Sequence, residues 1–155
     1  MRLICVGDGP ERQEAEALVS QLGVGAAVRF TGQVSELETT RHYLDSFALV
    51  IPTRHPEGFS MTIFQSLAAG LPILTTRIRA AADYLSEPEN VLWVQNGQPE
   101  RLAERIAWLM DHDEAAATMS RNNLLRAQDF DGEALVREFV PVYRAIARRR
   151  AAEAR

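Results

Sequence analysis

The residues best suited to ligand chemistry lie at positions 54–61, which read RHPEGFSM. They place a carboxylate and a glycine in a loop directly before an apolar segment of helical spacing, and the glycine lets the backbone approach a ligand closely. The free backbone amides of that helix start form a natural site for phosphate, and a carboxylate beside them suits sugar hydroxyls. The candidates for this site are Glu57, Gly58, Phe59, Ser60 and Met61. Two interpretations stay open here: a sugar diphosphate lies across the helix start, or Glu57 only caps the helix.

Further charged residues flank this segment. Arg54 and His55 come directly before it, although an isolated loop histidine is more often structural or inert than a substrate contact. Arg77 and Arg79 follow an apolar run, and their guanidinium groups either bind a diphosphate or form an exposed basic loop. These four residues are secondary candidates.

A glycine turn near the start of the chain is a third candidate. Gly7 and Gly9 resemble the beginning of the dinucleotide-binding pattern G-x-G-x-x-G, but Arg12 occupies the position of the third glycine. A nicotinamide-dependent dehydrogenase is therefore disfavoured. The two glycines need do no more than permit a tight turn.

All of these segments follow predicted strands. Short apolar runs bounded by Gly, Pro or polar residues predict buried parallel strands at 3–6, 27–30, 48–51, 72–75 and 91–94. Helical spacing predicts helices between them, and Ser35 is the expected N-cap of the second helix. From Pro99 onward the pattern is helical to the end of the chain.

This alternation predicts an α/β fold, a Rossmann-like open parallel sheet flanked by helices that ends in a helical C-terminal segment. We expect residues 1–155 to form a single domain, with βα units up to about residue 98 and helices over 99–155. In such sheets ligands bind beyond the carboxyl ends of the strands, where the candidate residues should lie.

Composition and charge limit the classes of function. The 155 residues carry a net charge of -4, which argues against nucleic-acid binding, and no apolar run approaches the roughly 20 residues of a membrane-spanning helix. The first residues do not read as a secretion signal, so we expect a cytoplasmic setting. The arginine-rich C-terminal helix is either a solvated helix end, which we favour, or a peripheral contact with a partner or with the inner face of a membrane.

The order of several motifs resembles one large family. The segments VGDGP, VRFTG, VIPTRHPEGF, AAGLPILTT and VQNGQPERLA are similar, in order and register, to those of retaining GT-B glycosyltransferases, which include bacterial mannosyltransferases and sucrose synthases. The resemblance implies a C-terminal, donor-binding domain that takes a nucleoside-diphosphate sugar and needs no metal or other cofactor. It also implies transfer to a glycan or lipid-linked acceptor, as in cell-envelope polysaccharide biosynthesis.

The resemblance further implies roles for single residues. Glu57 and the amides after it would hold the sugar and diphosphate, and the turn containing Gly32 and Val34 would lie near the base. The family has a second glutamate after seven intervening residues, which contacts the ribose. This chain has Gln65 at that position, which can still accept from a hydroxyl but forms a weaker hydrogen bond.

A larger departure concerns what precedes residue 3. Family members have another βα unit there, whose strand lies between those at 3–6 and 48–51 and whose two cations contact the diphosphate, and before it an N-terminal acceptor domain. Arg77 and Arg79 could replace the cations, and the strand edges would be exposed. Another polypeptide supplies these parts, the strands rearrange, or the chain is a fragment.

Two hypotheses of function follow from this departure. In the first, the chain is the donor-binding half of a glycosyltransferase and works with a missing or partner acceptor domain, or through self-association. In the second, it is a non-catalytic remnant that serves as a nucleotide-binding or protein-interaction module. Whether the isolated chain is an enzyme stays open between them.

Overall fold

The computed structural model describes residues 1–55, 58 and 60–153, and the chain divides into two compact units. The N-terminal unit comprises residues 1–45 and the C-terminal unit begins at residue 46. Both contain parallel strands accompanied by helices, so the predicted α/β class is confirmed. The description of residues 1–155 as a single domain stays a prediction.

The elements alternate along the chain as the sequence predicted. The N-terminal unit contains β1 (Leu3–Val6), α1 (Arg12–Gln21), β2 (Val28–Gly32) and α2 (Glu36–Leu44). The C-terminal unit begins with β3 (Leu49–Ile51), α3 (Met61–Ala68), β4 (Ile73–Thr76), α4 (Arg79–Tyr84) and β5 (Val91–Val94). It ends with α5 (Pro99–Asp111), α6 (Asp113–Ala127), a 3-10 turn (Gln128–Phe130) and α7 (Gly132–Glu153).

The N-terminal unit is a parallel pair of strands with two helices. β1 and β2 pair in parallel, with Leu3 opposite Val28. Helix α2 starts at Ser35 as predicted, because Ser35 and Glu38 cap each other: the Glu38 amide donates to the Ser35 hydroxyl at 3.3 Å, and the Ser35 amide donates to the Glu38 carboxylate at 3.0 Å. This reciprocal capping satisfies two amides that the helix itself cannot bond.

The apolar strand β1 is less buried than its sequence predicted. Leu3 and Ile4 are 46% and 39% exposed, and neither α1 nor α2 contributes a buried residue. In the part of the chain that the structure describes, β1 pairs along one edge only, with β2, and two strands with two short helices offer little apolar surface to cover it. The prediction of a buried first strand is therefore wrong. Partial burial still raises the pKa of the Cys5 thiol.

The C-terminal unit contains the core. Its strands are parallel and run in the order β3-β4-β5, so β4 is central and all four of its residues are buried. Successive residues of β4 point to opposite faces: Ile73 packs with Ile63 and Leu67 of α3, whereas Leu74 packs with Leu109 of α5. Both faces of the central strand are thus covered, as a parallel sheet requires.

A buried asparagine connects α6 to the loops before β4 and β5. The Asn123 side-chain amide, which is fully buried, donates to the carbonyls of Leu71 at 2.7 Å and Asn90 at 3.0 Å. Its side-chain oxygen accepts from the Asn90 amide group at 3.0 Å. These three bonds fix α6 against the sheet.

The last helix, α7, is the longest element of the described chain. Neither it nor any other helix in the described ranges combines the length and the hydropathy that crossing a bilayer requires. The cytoplasmic location expected from the sequence stays a prediction.

Candidate functional site

The polar loop after β3 starts at Thr53, whose carbonyl group accepts hydrogen bonds from two side chains. The Thr53 carbonyl oxygen accepts from the Thr76 hydroxyl at 2.7 Å and from the Asn96 side-chain amide at 2.6 Å. Thr76 ends β4 and Asn96 follows β5, so these bonds join the carboxyl ends of all three strands of this sheet. The loop that carries the main candidates therefore begins at the edge where ligands bind in such sheets.

Helix α3 follows this loop, and its N-cap side chain leaves the first amides uncapped. Ser60 is the N-cap residue; it is buried, its backbone is extended, and its side chain makes no capping hydrogen bond. The Phe64 amide donates to the Ser60 carbonyl at 3.1 Å, so the amides of Met61 and Thr62 precede the first intrahelical bond. A helix start of this kind carries partial positive charge and presents N–H groups to an anion.

The other main candidates of this unit lie around that helix start. Gly58 is exposed, with open space where a Cβ would stand, so its backbone is accessible. Gln65 is exposed one turn into α3, on the side opposite the buried Ile63 and Leu67. Glu57 and Phe59 lie outside the described residues, and their contacts stay predictions.

The two arginines after β4 occupy different environments. Arg77 is exposed, and its guanidinium carbon lies 5.8 Å from the centre of the Trp93 ring on β5, a cation–π distance. Arg79 is exposed as the first residue of α4. Arg77 is thus oriented towards β5, while no described contact orients Arg79.

Arg54 and His55 are exposed in the loop itself. The His55 backbone amide donates to the Thr53 hydroxyl at 3.1 Å, so this histidine is fixed through its main chain. Within the C-terminal unit, the structure thus brings the loop residues, the α3 start and Arg77 to the carboxyl edge of one sheet.

In the N-terminal unit, glycines close the carboxyl ends of β1 and β2. The Gly7 amide donates to the Gly32 carbonyl at 2.9 Å, and both residues have positive φ angles, +119° and +70°, which side chains disfavour. Gly9 is exposed and its amide donates to the Asp8 carboxylate at 2.8 Å, while Val34 is half-buried after β2. The tight turn is therefore sufficient to explain Gly7.

Arg12 is a residue of this region to which the sequence analysis assigned no role. Its guanidinium group donates to Glu16 at 2.8 Å and to Asp8 at 3.3 Å, and a Cβ at Gly32 would stand 2.9 Å from its Nη1 atom. The hydrogen bond to Glu16 raises the pKa of Arg12. Because two carboxylates neutralise its guanidinium group, Arg12 does not attract a diphosphate. Its contacts with Asp8 and with the Gly32 position instead order the two glycine turns. The spacing of Asp8, Arg12 and Glu16 at intervals of four was the signal for this arrangement.

A second feature missed from the sequence is an open cavity of about 300 Å³ at the carboxyl end of β5. Its lining combines polar and cationic side chains with one indole: Trp93, Val94, Gln95, Gln98, Arg101 and Arg105. Arg105 is already paired with Glu87 at 3.0 Å. Its lining residues come from the end of β5, from the turn that follows it and from α5, and their proximity is visible only in the folded structure.

Comparison with known proteins places this arrangement in a family. Residues 1–126 match the family model described as Glycosyl transferases group 1. The chain is 30% identical over 158 residues to a D-inositol 3-phosphate glycosyltransferase of Acidothermus cellulolyticus, a match that covers 97% of this chain and 35% of that protein. It is 28% identical over 122 residues to the D-rhamnosyltransferase WbpZ of Pseudomonas aeruginosa, covering 77% of this chain and 32% of WbpZ.

Solved structures share the fold. The crystal structure of HepE from Anabaena in complex with UDP has a TM-score of 0.84 at 19% identity, over 94% of this chain and 41% of HepE. HepE in complex with UDP-glucose has a TM-score of 0.81 at the same identity, over 93% of this chain and 41% of HepE. At this level of identity the likeness concerns the fold.

The chain spans about a third of the length of the two glycosyltransferases it matches in sequence. The family match nevertheless covers most of its 155 residues, and the elements match the Rossmann-like architecture of GT-B structures. The chain belongs to the Glycosyl transferases group 1 family.

Proposed function

We propose that this chain is the donor-binding part of a retaining glycosyltransferase. It binds a nucleoside-diphosphate sugar, and a second domain or polypeptide binds the glycan or lipid-linked acceptor. The observation that carries the proposal is the start of α3, whose first amides precede the first intrahelical bond and whose Ser60 side chain does not cap them. The complexes of HepE with UDP and with UDP-glucose, on a similar fold, favour the same class of ligand.

The main candidates receive roles in this proposal. The amides near Met61 receive the diphosphate, Glu57 orients the donor sugar and Gln65 accepts from a ribose hydroxyl. In the N-terminal unit, we assign Gly32 and Val34 to the base on the strength of the family resemblance. The transferase accelerates the reaction by holding donor and acceptor together and by stabilising the diphosphate leaving group.

Binding of the donor by this part needs no metal ion. Backbone amides and the dipole of α3 offer the positive potential that a divalent cation supplies in other phosphate sites. Arg77 directly follows the end of β4, but its position over Trp93 makes it a secondary contributor.

Backbone NMR with UDP, GDP and ADP, recorded in EDTA, tests the proposed phosphate site. One nucleotide should shift the amide signals of Met61 and Thr62 in a saturable way, while the first amides of α6, at Asp113 and Glu114, serve as the control helix start. Shifts that spare the α3 start, or that appear only after magnesium is added, would overturn the proposal.

The second candidate function is a nucleotide-binding or protein-interaction module without transferase activity. The exposure of β1, whose apolar residues could pair with another chain, favours it. A chimera in which this chain replaces the matching third of WbpZ distinguishes the two functions. Sugar transfer by the chimera supports the donor-binding proposal, whereas a folded chimera that binds nucleotide without transferring sugar supports the module.

A further inference from the structure

The cavity beside Trp93 lies at the free edge of a strand. In the described sheet β5 pairs with β4 alone, so its other edge has no neighbouring strand. Trp93 and Val94 point to opposite faces of β5, yet both line the cavity. A space reached from both faces lies at the edge of the strand. Its volume of about 300 Å³ suits a small ligand.

Positive charge is concentrated around this cavity, in a chain whose net charge is -4. Arg101 and Arg105 lie one turn apart on α5, and both line the cavity. The guanidinium carbon of Arg77 lies 5.8 Å from the centre of the Trp93 ring, which is also part of the lining. Glu87 pairs with Arg105 at 3.0 Å, whereas no ion pair within the described ranges holds Arg77 or Arg101. Three guanidinium groups and one carboxylate leave an excess of two positive charges.

The glutamates next to these arginines on α5 do not line the cavity. Glu100 and Glu104 each precede one of the two arginines by one residue, which places them about 100° away around the helix. Both are exposed, and the lining that the structure describes contains neither. The positive excess therefore faces the cavity.

Two glutamine side chains complete the polar lining. The Gln98 side-chain amide donates to the Gln95 side-chain oxygen at 2.7 Å. Among the contacts of the described chain, this bond leaves the amide group of Gln95 and the side-chain oxygen of Gln98 available. A donor and an acceptor side by side suit hydroxyl groups, which both accept and donate hydrogen bonds. The lining thus combines guanidinium groups for an anion with amides for hydroxyls.

We propose that the cavity beside Trp93 binds the phosphate monoester of a small hydroxylated molecule. Arg101 receives the phosphate, because guanidinium groups bind phosphate oxygens in pairs and Arg105 already pairs with Glu87. A phosphate monoester carries a charge of about -1.5 to -2 at pH 7, which matches the positive excess better than the single charge of a carboxylate. Gln95 and Gln98 bind the hydroxyl groups. The described lining includes no residue of the α3 start, so the proposal is independent of the donor site.

Tryptophan fluorescence of the full 155-residue chain tests this site. The chain has two tryptophans, so the variant Trp108→Phe keeps Trp93 as the only reporter. Glycerol 3-phosphate should change the Trp93 emission in a saturable way. It should bind more tightly than glycerate, which has the same three-carbon body with one negative charge, and more tightly than inorganic phosphate, which lacks the hydroxyl groups. Glycerol, which carries no charge, should leave the emission unchanged.

A matched pair of variants and NMR locate the phosphate. In the Trp108→Phe background, Arg101→Gln should weaken binding of glycerol 3-phosphate about tenfold or more, because a charge-assisted hydrogen bond is lost. Arg121→Gln removes an exposed arginine of α6 outside the described lining and should leave the affinity unchanged. In NMR spectra, glycerol 3-phosphate should shift the side-chain amide signals of Gln95 and Gln98 and spare the backbone amides at the α3 start.

Four results would overturn the proposal. They are equal weakening by Arg101→Gln and Arg121→Gln, affinity for glycerate or inorganic phosphate equal to that for glycerol 3-phosphate, shifts at the α3 start in place of the glutamine signals, and no response from a chain that circular dichroism shows to be folded. Because the nucleotide titrations report on the α3 start, a failure here leaves the donor-binding proposal to its own test.

Discussion

Gly32 and Arg12 together fix the carboxyl ends of β1 and β2. Gly32 has a φ angle of +70°, and its carbonyl accepts from the Gly7 amide at 2.9 Å. The Arg12 guanidinium fills the space where a Cβ would stand, and Asp8 and Glu16 hold it there. Two separate constraints thus favour glycine at this position: the positive φ angle of its backbone and the lack of space for a Cβ.

Substitution Gly32→Ala should weaken this pair of strands by about 1–2 kcal/mol or more, because a Cβ is strained at positive φ and Arg12 must also move. Native-state hydrogen exchange at the Leu3 amide, which donates to the Ala27 carbonyl at 2.8 Å, measures the loss. Gly23→Ala, at a φ of +67° with open space, should show the conformational cost alone. An effect of Gly32→Ala no larger than that of Gly25→Ala, a glycine with neither constraint, would contradict this account.

At the scale of single elements, capping and buried amides determine where helices begin and pack. Helix α2 starts at the reciprocal pair of Ser35 and Glu38, and α6 is held by the side chain of Asn123. The N-cap Ser60 of α3 makes no side-chain capping bond, and α4 and α5, which also follow strands of this sheet, likewise start without one. Among these starts, we assign the external ligand to that of α3 because it follows the loop that carries the candidate residues.

The capping pair of α2 predicts a pH dependence. The hydrogen bond from the Ser35 amide, followed by that of the Ser35 hydroxyl, lowers the pKa of Glu38 from 4.5. A lowered pKa means that this stabilisation of α2 is present above pH 4.5 and is lost as the pH falls through the lowered value. NMR titration should show the Glu38 pKa rising part of the way towards 4.5 in Ser35→Ala, which removes the hydroxyl but keeps the amide, while Thr40→Ala, which removes a different bond of α2, leaves it low. An unchanged pKa in Ser35→Ala would show that the Ser35 hydroxyl does not contribute to the lowering.

The buried amide of α6 predicts a large effect on stability. Asn123→Ala should lower the free energy of unfolding of the C-terminal unit by about 2–3 kcal/mol, because buried groups of Leu71 and Asn90 lose their partners. Asn122→Ala, which removes one bond to the Glu89 carbonyl at 3.1 Å, should cost less than half as much. Urea unfolding followed by circular dichroism gives both values, and equal losses would show that burial of Asn123 is not the cause.

At the scale of the whole molecule, the sequence predicted element positions better than burial. The strands at 3–6 and 91–94 and the N-cap at Ser35 were placed correctly, because local signals such as glycine turns and caps define them. The exposure of β1 could not be predicted, since an apolar run shows only that a strand could be buried. The hydrogen bonds from Thr76 and Asn96 to Thr53 join residues 23 and 43 positions apart, so no local sequence pattern predicts them.

In the candidate site, too, features set by local sequence were predicted and those set by tertiary neighbours were not. The loop, the helix start and Gln65 were identified from spacing and family resemblance, and in the structure the loop begins at the carboxyl edge of the β3-β4-β5 sheet and leads into α3, which contains Gln65. The spacing of Asp8, Arg12 and Glu16 was a local signal for the ion pairs, but the contact of Arg12 with Gly32 and the cavity beside Trp93 were missed because they arise from tertiary neighbours. The roles of Glu57 and Phe59 depend on the resemblance alone.

Calorimetric titration of the folded chain with UDP, GDP and ADP, and then with the sugar conjugate of the base that binds, tests the central claim most directly. The account predicts saturable binding of one nucleotide and its sugar. It also predicts that Glu57→Ala weakens binding of the conjugate more than that of the bare nucleotide, because the carboxylate contacts the sugar. The absence of binding to a chain shown to be folded, or equal weakening of nucleotide and conjugate, would contradict a donor site built around Glu57 and the start of α3.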